Sequence, residues 1–188
     1  DILNLGQLAS IATYQIADRH TSHSVGGSVH HDHLGIGAPG REQRISGARL
    51  QHGWREYPDC LMQTHLSEQT DEIAWVKDLF PQSRDYLDTY ESQGLLREGA
   101  VYGHAIHLTR REKDRLREAG ASLVHCPTSN TFIGSGLFDM GLAQSLRVGL
   151  ATDTGGGSSF SMLHTMAAAY EVAQLRGQAL HPSQLWWL

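Results

Sequence analysis

The sequence is short of cysteine, of basic residues and of long apolar runs. Only Cys60 and Cys126 occur, which is too few for a disulfide framework, and neither lies in a CxxC pair. Lys and Arg total 15 against 20 Asp and Glu, and they form no basic stripe of the kind that binds nucleic acid. No run reaches the roughly 18 apolar residues of a membrane span. These shortages predict a protein of the reducing cytoplasm without nucleic-acid or membrane partners.

The N-terminal third is short of apolar residues. Its opening, "DILNLGQLASIATYQIADRH", shows neither a secretion signal nor an initiator Met, so we expect a fragment or a processed product. Residues 19–55 contain 9 apolar residues among 37, too few to offset the entropy of ordering them. We predict loop or disorder over 19–40 and a modest helix over 41–54. Residues 1–55 are therefore treated as an irregular segment and 56–188 as the folded domain.

Histidine, in contrast, is abundant, with 12 residues. Five of them fall within 20–33 without regular spacing, and His31 and His33 form an HxH pair among glycine and serine. Metal ligands need a rigid frame and supporting hydrogen bonds. No apolar strand holds this pair, so we interpret it as a solvated loop rather than a metal-binding module.

From Tyr57 onward, buried strands alternate with amphipathic helices. The predicted strands are 59–66, 99–108, 121–127 and 147–153. The predicted helices are 67–80, 83–94, 109–120, 136–146 and 161–177, with a further helix beginning at Pro182. This alternation predicts an α/β fold with a parallel sheet and right-handed crossovers. Four such units make half of an eight-unit barrel, which needs about 250 residues, so we predict a partial (β/α)8 TIM-like barrel.

Polar residues fall at or near the carboxyl ends of all four predicted strands, where such barrels place their chemistry. They are His65, His104, His125 and Asp153. His65 shares a strand face with Leu61 and Gln63, and its imidazole suits a metal such as zinc. Asp153 ends an apolar strand, where a metal or a histidine would compensate for the cost of burying its charge.

Three further positions complete the predicted site. Glu68 lies just beyond the His65 strand and could move a proton for a metal-bound water, although a helix dipole alone would also explain an acid there. His104 could hydrogen-bond the attacking hydroxide or the substrate. The run "HCPTSN" (125–130) is interpreted as a loop that shapes the pocket. Cys126 has no evident base beside it and is not expected to be a nucleophile.

Four motifs carry a resemblance: "QTHLSE", "GHAIHL", "HCPTSNTFIGSGLF" and "GLATDTGGGSSFSML". Together they resemble the guanine deaminases of the amidohydrolase superfamily over roughly 54–188. The pattern differs from the HxE and PCxxC zinc site of cytidine deaminases. The resemblance implies a distorted (β/α)8 barrel with one Zn²⁺ and hydrolysis of guanine to xanthine and ammonia. It also implies a small purine substrate and a homo-oligomer when the protein is intact.

The resemblance further implies a role for each matched residue. His65 is expected to bind zinc, and Asp153 to bind zinc and handle the proton of the water. Glu68 is expected to protonate the purine ring, and His104 to orient the hydroxide and stabilise the developing charge. All four are expected to line the substrate site.

Two features of the family are not recognisable in the sequence. They are an HxH pair on the first barrel strand and a Pro-Arg-Phe stretch before the His65 strand. The chain is therefore expected to correspond to roughly strands 5–8 of the barrel. Two alternatives stay open: an amidohydrolase acting on another amino- or chloro-substituted heterocycle, and an inactive truncated domain whose open sheet edges would make it associate.

Overall fold

The computed structural model describes residues 15–17, 52–59 and 61–188. It contains one five-stranded sheet in which the strands lie in chain order. They are β1 (Gln15–Ala17), β2 (Leu61–Leu66), β3 (Ala100–His104), β4 (Ser122–His125) and β5 (Arg147–Leu150). Strands β2 to β5 are parallel. The predicted α/β fold with a four-stranded parallel sheet is therefore confirmed, as half of a barrel would require.

Strand β1 was not predicted. It pairs antiparallel with β2, and Ile16 lies opposite Met62. It falls within the segment treated as irregular, where the predicted loop over 19–40 and most of the predicted helix over 41–54 lie outside the described residues. Residues 52–56 are helical. The division of the chain at residue 55 stays a prediction.

Helices follow each of the parallel strands. They are α1 (Thr70–Leu79), α2 (Tyr86–Glu91), α3 (Arg110–Glu118), α4 (Pro127–Phe132) and α5 (Met162–Leu175), with 3₁₀ helices at Met140–Gln144 and Pro182–Trp186. Among the described residues, no helix combines the length and apolarity needed to cross a membrane.

Four predicted elements need correction. The strand predicted over 147–153 ends at Leu150, so Asp153 lies three residues beyond the strand rather than at its end. The run 125–130 is not a loop, because Pro127 starts helix α4, where its missing N–H costs nothing. The helix predicted over 136–146 is only the 3₁₀ helix Met140–Gln144. The strand predicted over 99–108 ends at His104. His104 and Ala105 have left-handed φ angles of 66° and 51°, and a β-strand cannot continue through residues with positive φ.

Local sequence signals explain several of the boundaries. Thr109 and Glu112 form the predicted capping box of α3, with the Glu112 carboxylate accepting from the Thr109 N–H at 2.7 Å. Ser161 caps α5 at its start, and Gly177 follows the helix with φ 71°. Strand β2 buries Met62 and Leu66 on one face. Its other face carries Leu61, Gln63 and His65, as predicted, and includes the histidine at the strand's carboxyl end.

Candidate active site

The chain leaves three of the parallel strands through left-handed backbone. Ser67 follows β2 with φ 49°, His104 and Ala105 end and follow β3, and Asp153 follows β5 with φ 46°. Each non-glycine residue in this region costs about 1–3 kcal/mol, and such strain concentrates at functional sites. The strained positions coincide with the predicted site at the carboxyl edge of the sheet.

Glu68 is a buried carboxyl group with neutral hydrogen-bond donors. Its side chain is 1% exposed. Its Oε1 accepts from Ser135 Oγ at 3.0 Å and from Asn130 Nδ2 at 3.3 Å. Burial, reinforced by the neighbouring carboxylate of Glu72, raises the pKa of Glu68 to about 8. The protonated acid is therefore favoured at neutral pH, which suits a proton donor.

His104 lies between the two predicted acids. Its Nδ1 is 3.2 Å from Glu68 Oε1, and its Nε2 is 3.9 Å from Asp153 Oδ2. Its ring meets the ring of His65 edge-on, with centroids 4.8 Å apart. Burial lowers the pKa of His104, so the neutral imidazole is favoured. His104 therefore connects all the predicted site residues.

His65 and Asp153 are the predicted zinc ligands. The Nδ1 of His65 is buried and has no hydrogen-bond partner among the residues that the structure describes. Burial lowers the pKa of His65, and the charge of Asp153 opposes this shift. Imidazole and carboxylate are donors that zinc accepts, and only a neutral imidazole can bind it. The donor groups of His65 and Asp153 are therefore of types that bind zinc.

Zinc in catalytic sites usually has three protein ligands. Among the described residues, candidate ligand atoms within 4.8 Å of one another form two overlapping groups, His65 with Glu68 and His104, and His104 with Cys126 and Asp153. Neither group contains both His65 and Asp153, and His104 belongs to each. Burial raises the pKa of the Cys126 thiol, which disfavours the thiolate that a metal would need. The structure thus brings His65, Glu68, His104 and Asp153 together, while their individual roles stay predictions.

Sequence reasoning missed two members of this cluster, Asn130 and Ser135. Asn130 lies on α4 and contacts both Glu68 and His104. Pro, Ser and Asn in "HCPTSN" are typical of turns, so a loop was predicted where a helix forms. The available signal was the position of this polar run, which directly follows β4 at the carboxyl edge of the sheet.

His125, also predicted at a strand end, is separate from the hydrogen-bonded cluster. It is fully buried and stacks on Phe138 with ring centroids 4.6 Å apart. Neither ring nitrogen has a hydrogen-bond partner among the described residues. Burial lowers the pKa of His125 to about 3, so it is a neutral packing group.

The amidohydrolase family model matches residues 54–185. This match covers most of the chain, and the chain therefore belongs to the amidohydrolase family. Its half-barrel of parallel strands and its polar carboxyl edge agree with that family.

Within the family, the chain is similar to guanine deaminases. It is 44% identical to guanine deaminase of Escherichia coli over 149 residues, which are 78% of this chain and 33% of the relative. The solved structure of E. coli guanine deaminase superposes with a TM-score of 0.70 at 45% identity, covering 74% of this chain and 33% of that one. A guanine deaminase from C. acetobutylicum with bound guanine gives a TM-score of 0.68 at 30% identity, covering 71% and 32%. The chain thus spans about a third of the length of the relatives it matches.

Proposed function

We propose that this chain is part of a zinc-dependent guanine deaminase that hydrolyses guanine to xanthine and ammonia. The proposal is supported by similarity to guanine deaminases, including one with bound guanine. The observation that carries it is the cluster at the carboxyl edge, where a buried acid, a neutral imidazole and a second carboxylate follow one another.

Hydrolytic deamination needs proton transfer at three places: the water, a ring nitrogen and the departing amine. Water gives its oxygen to the ring carbon that carries the amino group, and the carbon–nitrogen bond breaks as ammonia leaves. A ring nitrogen must gain a proton as the attack proceeds, and the departing amine must gain another. Glu68, protonated at neutral pH because of its burial, suits the first donation. Asp153, 30% exposed beside His104, suits acceptance of one proton from water and its delivery to the departing amine, while the second water proton restores the acid on Glu68 as the product carbonyl forms.

His104 suits the role of orienting the attacking oxygen, because it lies between these two carboxyl groups. His65 and Asp153 would hold the zinc ion, and His104 and Glu68 would line the substrate site with them. When bound, zinc would supply the Lewis acidity that makes water nucleophilic at neutral pH.

The test is zinc content measured beside ammonia release. The full chain is loaded with Zn²⁺, dialysed, and assayed with guanine, adenine and an amino- or chlorotriazine. We expect zinc near one per chain and ammonia from guanine. His65→Ala should lose both, whereas His164→Ala, which removes an exposed histidine of α5, should keep both. Ammonia or chloride released from a triazine instead would assign another amidohydrolase activity, and zinc-free, inactive protein would indicate a truncated domain.

Two wider features belong to the same proposal. A cytoplasmic location is supported by the use of only two cysteines. Self-association is supported by large apolar side chains that are exposed at the surface, among them Phe132, Phe160 and Trp187. Size-exclusion chromatography of the zinc-loaded chain tests the second feature, since a monomer would contradict it.

A further inference from the structure

We propose that Asn130 is a positioning residue that fixes the tautomer of His104 and the orientation of Glu68 by donating one amide hydrogen to each. This inference rests on the proposed function for its chemical meaning. The contacts on which it depends are independent of that function. The proposed function assigns roles to His65, Glu68, His104 and Asp153, but none to Asn130.

The amide nitrogen of Asn130 faces two acceptors. It is 2.9 Å from His104 Nδ1 and 3.3 Å from Glu68 Oε1. A side-chain amide carries two hydrogens on its nitrogen, so each acceptor can receive one. Hydroxyl and carboxylate side chains of similar size cannot make both donations at once. The residue type therefore matches the geometry.

The donation to Nδ1 determines where His104 carries its proton. In a neutral imidazole one nitrogen donates and the other accepts. When Nδ1 accepts from Asn130, the proton must lie on Nε2, which faces Asp153 Oδ2 at 3.9 Å. The Nε2–H is then directed toward the side of the site where Asp153 lies, and the attacking oxygen would be placed between them.

The backbone of Asn130 is fixed on both sides. Its N–H donates to the Cys126 carbonyl at 2.9 Å, and its own carbonyl accepts from the Ser135 N–H at 2.9 Å. The residue is 1% exposed. Its side chain consequently has little freedom to follow a moving partner, as expected of a group that positions others.

Ser135 separates the two effects of Asn130. Its hydroxyl donates to Glu68 Oε1 at 3.0 Å, and it makes no hydrogen bond with the His104 ring. Loss of the serine hydroxyl should therefore disturb Glu68 alone. Loss of the asparagine amide should disturb both Glu68 and His104.

The experiment measures ring-nitrogen NMR shifts in the zinc-free full chain labelled with ¹⁵N-histidine, since protonated and unprotonated imidazole nitrogens resonate far apart. His104 is assigned from the signals lost in His104→Gln. We expect Nε2–H with unprotonated Nδ1 in the parent. Asn130→Asp, which keeps the side-chain volume, should place a proton on Nδ1. Ser135→Ala should leave the tautomer unchanged, and so should Ser129→Ala, the matched control on the same helix whose buried hydroxyl has no hydrogen-bond partner among the described residues.

Two results would overturn the proposal: an Nδ1–H tautomer in the parent, or an unchanged tautomer in Asn130→Asp. Thermal unfolding identifies a variant that fails to fold, and Asn130→Ala, which removes the donor without adding a charge, then takes its place with the same expected loss of the fixed tautomer. In the zinc-loaded chain, Asn130→Asp should lower kcat about tenfold or more with KM changed less than about threefold. If the parent shows no turnover, the proposed function fails, while the tautomer still decides this inference.

Discussion

Glu68 and Glu91 are carboxyl groups in opposite surroundings. Glu91, on α2, is hydrogen-bonded to Arg111 and to Arg115 Nε, the latter at 2.9 Å. Burial alone would raise its pKa, but the two arginines hold the pKa of Glu91 below its ordinary value. Glu68 receives neutral amide and hydroxyl donors instead, and burial raises its pKa to about 8.

The comparison shows two ways in which the fold accommodates a carboxyl group: paired with arginines, or buried among neutral hydrogen-bond donors. Paired charges at a partly buried helix surface satisfy each other and stay ionised. A buried acid without a cation partner is destabilised in its charged form, so its pKa rises. Such an acid can exchange a proton near neutral pH, which is why groups of this kind are common at functional sites. The chain uses the first arrangement between α2 and α3 and the second at the carboxyl edge of the sheet.

The largest expected effect comes from removing the carboxyl proton of Glu68, the proposed proton donor. Glu68→Gln keeps an oxygen that can accept from Asn130 and Ser135, so the fold should persist. Guanine turnover by the zinc-loaded chain should fall about 10²–10⁴-fold, because a neutral amide cannot donate and regain the proton. Ammonia release is the measurement, and Glu98→Gln, at an exposed acid, is the control. A variant that keeps more than a tenth of the parent rate would remove Glu68 from the chemistry.

A second prediction concerns stability against pH. The pKa of Glu68 rises from 4.5 to about 8 on folding, so between these values the folded state holds a proton that the unfolded chain has lost. The free energy of unfolding should therefore fall as pH rises, by up to about 1.4 kcal/mol per pH unit from this group. Glu91, whose pKa is lowered on folding, is ionised in both states here and contributes no slope.

Comparison of the parent with Glu68→Gln isolates this effect. Burial lowers the pKa of His65, His104 and His125 from 6.5, so near that pH the unfolded chain binds protons that the folded chain does not, and these histidines make stability rise with pH equally in both proteins. In urea unfolding of the zinc-free proteins between pH 6.5 and 8, the free energy of unfolding of the parent relative to Glu68→Gln should fall as pH rises. Equal slopes in the two proteins would mean that Glu68 is ionised in the folded state.

The smallest expected effect concerns the ion pairs between α2 and α3. Arg111 joins Asp85, Asp88 and Glu91 in one ion-pair network. Arg111→Met keeps the apolar stem and should cost about 1–2 kcal/mol of stability without changing turnover per folded molecule. Arg110→Met is the matched control, since Arg110 is 97% exposed at its side chain and should change stability little. Equal unfolding midpoints in both variants would show that the network adds nothing.

Strands and helix caps could be predicted because their signals are local. The capping box of Thr109 and Glu112 is contained in four residues, and the apolar pattern of β2 is contained in six. Strand β1 could not be predicted, because its three residues gain their order from pairing with β2. The end of β3 was placed too late because the left-handed conformation of Ala105 is not encoded by a glycine.

The site residues also divide into those that local sequence patterns reveal and those that they do not. Four site residues could be found because they lie at or just beyond strand ends and match family motifs: His65, Glu68, His104 and Asp153. Asn130 could not, since its contacts with Glu68 and His104 join residues 62 and 26 positions apart. Such a long-range contact depends on how α4 packs, which no local pattern specifies.

The left-handed residue Ala105 has a consequence for the tolerance of the chain to substitution. It is 1% exposed and carries no functional group, yet it shares its backbone conformation with His104 and Asp153. β-Branched residues are strongly disfavoured in that conformation. In a saturation scan of the chain, valine and isoleucine at 105 should be depleted as strongly as changes at the acids, although an aliphatic residue at a buried site is ordinarily the mildest exchange.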